Sequence, residues 1–157
     1  MSRKIRKQIR VELEQLDRLL TRHPGLIEKC RTRPPTDVQT DALAVLLHSF
    51  YSGVENVFKR VSLAMDGNLP EGEFWQTVLL DSMTHSTPTR PAVISEDLRD
   101  ILKAYLDFRH VFRHAYSFEL QWGKMAPLVL GVEGALQRLQ EELERFLRAI
   151  EPNDEDA

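Results

Sequence analysis

The chain has 157 residues, 42% of them hydrophobic and 29% charged, with a formal net charge of −3. That length suggests one domain, able to bury a core without disulfides or metal, and the composition excludes a disordered chain. The single cysteine, Cys30, excludes an internal disulfide, no apolar run approaches a membrane span, and the slight negative charge confines any nucleic-acid binding to a local patch.

The opening "MSRKIRKQIR" is basic but lacks the apolar core of a signal peptide, so a cytoplasmic protein is expected. Its cations, Arg3, Lys4, Arg6, Lys7 and Arg10, read either as a solvated face or as an arm near a phosphate backbone. Ile5, Ile9, Leu13, Leu16 and Leu20 recur at steps of three and four, one stripe of a first helix. "HPG" at 23–25 ends or kinks it, and "TRPP" at 32–35 is a clear break.

Thr36 or Asp37 can cap a second helix of about eight turns, running to "DGN" at 66–68, where Gly67 is a plausible stop. Its apolar positions are Val38, Ala42, Val45, Leu46, Phe50, Val54, Val57, Val61 and Leu63. Gly53 and Ala42 would let a neighbouring helix come close, and Tyr51, His48 and Trp75 read as packing residues. A short helix over 73–83 follows, then the loop "THSTPTRPAVI".

Ser95 caps the next helix, with Glu96 and Asp97 suited to the dipole of its first turn. Leu98, Ile101, Leu102, Tyr105 and Phe108 or Phe112 form its stripe. Pro127 suits the first turn of a last helix, with Leu128, Val132, Ala135, Leu139, Leu143, Phe146 and Ile150 on one side and Arg138, Glu141, Glu142, Glu144 and Arg145 on the other. No strand alternation or repeat interrupts the pattern. The expected fold is an all-α, up-and-down helical bundle of four main helices plus a short one, spanning residues 1–151, with an acidic tail over 152–157. Wide apolar faces on long helices make a homodimer the expected assembly.

The end of the fourth main helix, "RHVFRHAY" at 109–116, is the unusual stretch. Arg109 falls four residues after Tyr105 and three before Phe112, on the inward stripe, where a guanidinium needs a partner or an anionic ligand. His114, five residues on, would point about 140° away on a continuing helix. The two can face one target only if the helix stops near His114. An arginine and a histidine so placed suit a phosphodiester: the imidazole, with a pKa of about 6.5 in peptides, moves protons, and the guanidinium stabilises charge on a phosphoryl oxygen. RNA supplies its own nucleophile, the 2'-hydroxyl.

Other readings stand beside this one. Arg109 could be a structural ion pair with Glu55 or Asp107, and His114 a capping histidine. His110 and His114 have the i, i+4 spacing of a metal pair, with His85 or Glu55 as a further ligand, but no HExxH motif supports it. Arg113 is a helix-end cation or a phosphate contact. Trp122, expected in the loop after the motif, is an anchor or a base-stacking residue. His23 and Cys30 carry no arguable role.

The stretch resembles a known family. "RHVFRH" fits the Arg-x4-His motif of the HEPN superfamily, and with Tyr116 its Arg-x4-His-x-Tyr form. "HSFYSGVENVFKR" (48–60) looks like the family's second helix, "FWQTVLLDSM" (74–83) like its third, and "DFRHVFRHAYSFEL" (107–120) carries the motif. The chain resembles the HepT type of ribonuclease toxin, whose partner is a nucleotidyltransferase antitoxin of the MNT type. The resemblance implies a metal-independent endoribonuclease, the toxin of a type II/VII-like toxin–antitoxin pair, needing no cofactor. Arg109 and His114 match the catalytic pair, and His110 the polar position after the arginine. Tyr116 matches the tyrosine that the antitoxin modifies with AMP. Family members form two-fold dimers. Glu55 as a partner for Arg109 is a separate guess from helix placement. The alternatives are an inert module that binds RNA, a nucleotide or a partner, and a plain dimeric scaffold.

Overall fold

The computed structural model describes residues 2–151, and the expected acidic tail at 152–157 lies outside them. Six α-helices form the bundle: α1 (Ser2–Thr21), α2 (Leu26–Lys29), α3 (Asp37–Val61), α4 (Trp75–Ser82), α5 (Glu96–Phe112) and α6 (Trp122–Ile150). The four long ones match the four expected main helices, and α4 the expected short one; α2 is one further turn. No strand occurs among the described residues.

Helix α1 buries Ile5, Ile9 and Leu16 as its periodicity requires. "HPG" ends it rather than kinking it: Gly25 adopts φ 76°, a left-handed conformation that glycine takes without Cβ strain, and α2 begins at the next residue. Two cations of the basic start meet acidic partners: Arg6 pairs with Glu151 at 2.8 Å and Arg10 with Glu144 at 3.4 Å.

Helix α3 is the centre of the bundle and packs against α1, α4, α5 and α6. Thr36 caps it, accepting from the Gln39 N–H while the Gln39 side chain accepts from the Thr36 N–H. A Cβ on Gly53 would stand 2.5 Å from Leu16 Cδ2, so α1 crosses closely here, as the glycine suggested. A turn of π-helix, Ser62–Asp66, continues α3 to Gly67. Three positions assigned to its apolar stripe are exposed instead: Val38, Val45 and Leu63. The buried face is formed by Leu43, Leu47, Tyr51 and Phe58 together with Leu46, Phe50, Val54, Val57 and Val61. Ile101 of α5 is likewise at the margin, 38% exposed.

The loop before α5 is organised by a residue that the sequence left unremarked. Arg90 is buried, makes a two-pronged pair with Asp66 at 2.9 Å for each contact, and donates to the carbonyls of Ser82, His85 and Pro91. Val93 and Ile94 then enter the core, both donating their N–H to the Met83 carbonyl.

Ser95 caps α5, accepting from the Leu98 N–H. Glu142, assigned above to the charged outer face of α6, is buried: its carboxylate accepts from the Ser95 N–H at 2.6 Å and the Ser95 hydroxyl at 3.1 Å, and Arg138 closes it at 3.0 Å. Helix α6 begins five residues before Pro127, because half-buried Trp122 and buried Met125 anchor its first turn to the core. Proline there removes only the bond to the carbonyl of Gly123, an exposed residue whose carbonyl water can serve.

Candidate active site

Helix α5 stops where a convergence of Arg109 and His114 needs it to stop. Phe112 is its last residue, Arg113 forms the cap, and a turn follows in which the His114 N–H donates to the Val111 carbonyl and the Ala115 N–H to that of Phe112. Tyr116 is extended, and Ser117–Glu119 make one 3-10 turn.

The two side chains take different positions. Arg109 is buried: its Nη2 donates to Glu55 Oε1 at 2.8 Å, its Nη1 to Ser52 Oγ at 3.2 Å, and its guanidinium lies 5.2 Å from the Tyr51 ring centroid. Lys59 reaches the second Glu55 oxygen at 3.7 Å. Asp107, the other carboxylate considered for Arg109, pairs with Lys103 instead. His114 is exposed, and its ring meets that of His110 edge-on at 5.4 Å between centroids. Arg113 is exposed as well. Among the described residues no hydrogen bond joins Arg109 to His114.

A guanidinium has five N–H donors. Within the described residues Arg109 uses two of them in hydrogen bonds, which leaves three without one. His110, Arg113 and His114 are exposed, whereas this cation is buried. Tyr116 is 69% exposed, its ring stacks at 5.4 Å and 7° on that of Phe118, and among the described residues its hydroxyl has no hydrogen-bond partner. Trp122 is the first residue of α6 rather than a loop residue. His85 stands at the end of α4, its Nδ1 3.0 Å from the Asp81 carbonyl, and among the described residues it joins no metal-type cluster with His110 or His114.

At the site, the sequence left Ser52 unremarked and read Tyr51 and His48 only as packing residues. Ser52 holds Arg109, Tyr51 stacks on it, and His48 packs on Phe112 at 5.3 Å. Burial, then Arg109, then Arg113 lower the His48 pKa below its ordinary value. The available signal was helical phase: 48, 51, 52 and 55 fall at steps of three and four on one side of α3, so four polar or half-polar residues share a face that periodicity turns inward.

A family model described as HepT-like protein matches residues 42–150. The chain belongs to the HepT-like family. The match makes it a HEPN-type, toxin-like module, in agreement with the resemblance carried by 109–116. It runs from the second turn of α3 to the end of α6 and includes every residue of the candidate site, while α1, α2 and the start of α3 precede it. Comparison with curated proteins and with solved structures returned no match. No helix among the described residues is long and apolar enough to cross a membrane.

Proposed function

We propose that this HepT-like chain is a metal-independent endoribonuclease, the toxin of a toxin–antitoxin pair, working in the cytoplasm as a homodimer. The observation that carries the reading is the arrangement at the end of α5: Arg109 is buried in the last turn, the helix stops at Phe112, and His114 in the turn that follows is exposed. The 2'-hydroxyl of RNA attacks the adjacent phosphorus, the bond to the 5'-oxygen breaks, and a cyclic phosphate and a 5'-hydroxyl end result. His114 moves a proton in this reaction, and Arg109 stabilises charge on the phosphoryl oxygens. His110 orients the His114 ring, Arg113 contacts a neighbouring phosphate, and Glu55 holds Arg109 in register. Tyr116 is the acceptor for AMP from an MNT-type nucleotidyltransferase antitoxin; its exposed hydroxyl suits that role. The added nucleotide blocks RNA beside His114 by bulk and charge.

RNA cleavage tests the reading. Cleavage should persist in EDTA, leave cyclic phosphate ends, and fall by about 10²–10⁴-fold in His114→Ala, an exposed position whose loss leaves the melting temperature unchanged. Arg109→Lys keeps a cation beside Glu55 but loses the planar fork, and should also be impaired. Full activity in His114→Ala sinks the assignment. Protein made with its antitoxin should gain AMP mapped to Tyr116, and Tyr116→Phe should cleave RNA while gaining none.

One observation favours a second reading, an inert RNA- or partner-binding module: Glu55 closes Arg109, which is only 5% exposed. Binding of RNA by the pure protein without turnover, with and without EDTA, selects that reading.

A further inference from the structure

His48 stands on α3 one turn before Ser52 and two before Glu55, on the face that holds Arg109. Its ring lies against Phe112, the last residue of α5, and Phe112 in turn stacks on Phe108 at 6.0 Å. Glu55 is thus opposite Arg109 and His48 opposite Phe112, so α3 and α5 run antiparallel here. That places His48 level with the end of α5, where the His114 turn begins.

Phe112 packs one side of the His48 ring, and the Ser52 hydroxyl that receives Arg109 donates to the His48 carbonyl at 3.0 Å, tying this turn of α3 to the arginine. His48 is half-buried, neither sealed in the core nor free in solvent. The charged groups that act on it are Arg109 and Arg113, both from α5, and they favour its neutral form along with burial. A neutral imidazole is the form that accepts a proton. His114 is exposed, in the turn that follows the end of α5.

We propose that His48 is the general base of this site and His114 its general acid; the assignment rests on the ribonuclease reading above. His48 takes the proton of the 2'-hydroxyl as the 2'-oxygen bonds to phosphorus. The bond from phosphorus to the 5'-oxygen breaks, and the proton of the His114 imidazolium goes to that oxygen. The products are a 2',3'-cyclic phosphate and a 5'-hydroxyl. His48 then loses its proton to water and His114 regains one, restoring the starting state.

Two substrates separate the roles. One is an RNA oligonucleotide; the other is uridine 3'-(4-nitrophenyl phosphate), whose leaving group departs without protonation. His48→Gln should lose about 100-fold or more on both. His114→Ala should lose as much on RNA but return to within about tenfold of wild type on the activated ester, since only an acid is missing. The low-pH limb of the wild-type profile should disappear in His48→Gln. His48→Gln that cleaves RNA like wild type, while His114→Ala does not, overturns this proposal alone, as does rescue of His48→Gln by the activated ester. Wild-type protein that cleaves neither substrate overturns the ribonuclease reading with it. Should His48→Gln fail to fold, the wild-type His48 ring resonance should shift when a fully 2'-O-methylated RNA oligonucleotide binds; a bound state that leaves it unmoved overturns the proposal.

Discussion

Two buried arginines, each against a carboxylate, are bonded differently. Arg90 is saturated: both Asp66 oxygens and three carbonyls take its N–H groups, and no donor is left over. Arg109 is equally buried, at 5% against 4%, yet makes two hydrogen bonds and stacks on Tyr51. Arg90 is surrounded by loop backbone, whereas Arg109 lies in the last turn of α5, in a stretch whose two histidines, His110 and His114, are exposed. On the proposed reading Arg109 is the working cation and Arg90 the fold-holding one, and burial alone does not separate them. The count of unused donors and the chemistry of the neighbours do.

The largest expected effect concerns the saturated pair. Asp66→Ala leaves Arg90 charged, buried and without its counter-ion, and should cost about 3–5 kcal/mol in denaturant unfolding. Cleavage per folded molecule should not change, because Asp66 belongs to the loop clamp. A loss of activity without a loss of stability would collapse the distinction between the two arginines.

Glu55→Gln should have a smaller effect on folding, about 1.5–3 kcal/mol, since the amide oxygen still accepts from Arg109 and Ser52 remains. It removes the negative charge that competes with phosphate for Arg109. Binding of 2'-O-methylated RNA should tighten relative to wild type, measured by anisotropy at fixed salt. Unchanged or weaker binding would mean that Arg109 never meets an anion and is structural, like Arg90.

The smallest effect is a slope. The native-state pKa of His48 is lowered, so the unfolded chain binds more protons between that value and the ordinary histidine value. Stability from this group is complete above the unfolded pKa and declines as pH falls through that window. His48→Gln should therefore lose less stability than wild type on acidification from about pH 7 to pH 5. Parallel curves would remove His48 from the neighbourhood of Arg109 and Arg113.

Much of the bundle was legible because its signals are local. Thr36 with Gln39 and Ser95 with Leu98 are caps written within four residues, and the stripes of α1 and α6 follow a period that a helix must obey. What escaped depends on distant partners. Arg90 meets Asp66 across 24 residues and Ser95 meets Glu142 across 47, so neither burial has a local signature. Periodicity gave the phase of α3 but not which neighbours cover it, and so Val38 and Val45 are exposed. At the site, the inward phase of Arg109 and the end of α5 before His114 were readable, whereas Glu55 stood as a guess beside Asp107 for its partner, and the structure selects Glu55. The contribution of Ser52, Tyr51 and His48 was not readable, because a histidine between apolar positions looks like packing until its neighbour is known to be a guanidinium.

The most direct measurement compares one RNA sequence in two forms, with free 2'-hydroxyls and with every 2'-oxygen methylated, incubated with wild type and with His114→Ala in EDTA. The account predicts that wild type cuts only the free form and leaves 2',3'-cyclic phosphate ends, and that His114→Ala cuts neither at a comparable rate. Cleavage of the methylated RNA, or equal cutting by His114→Ala, would contradict it.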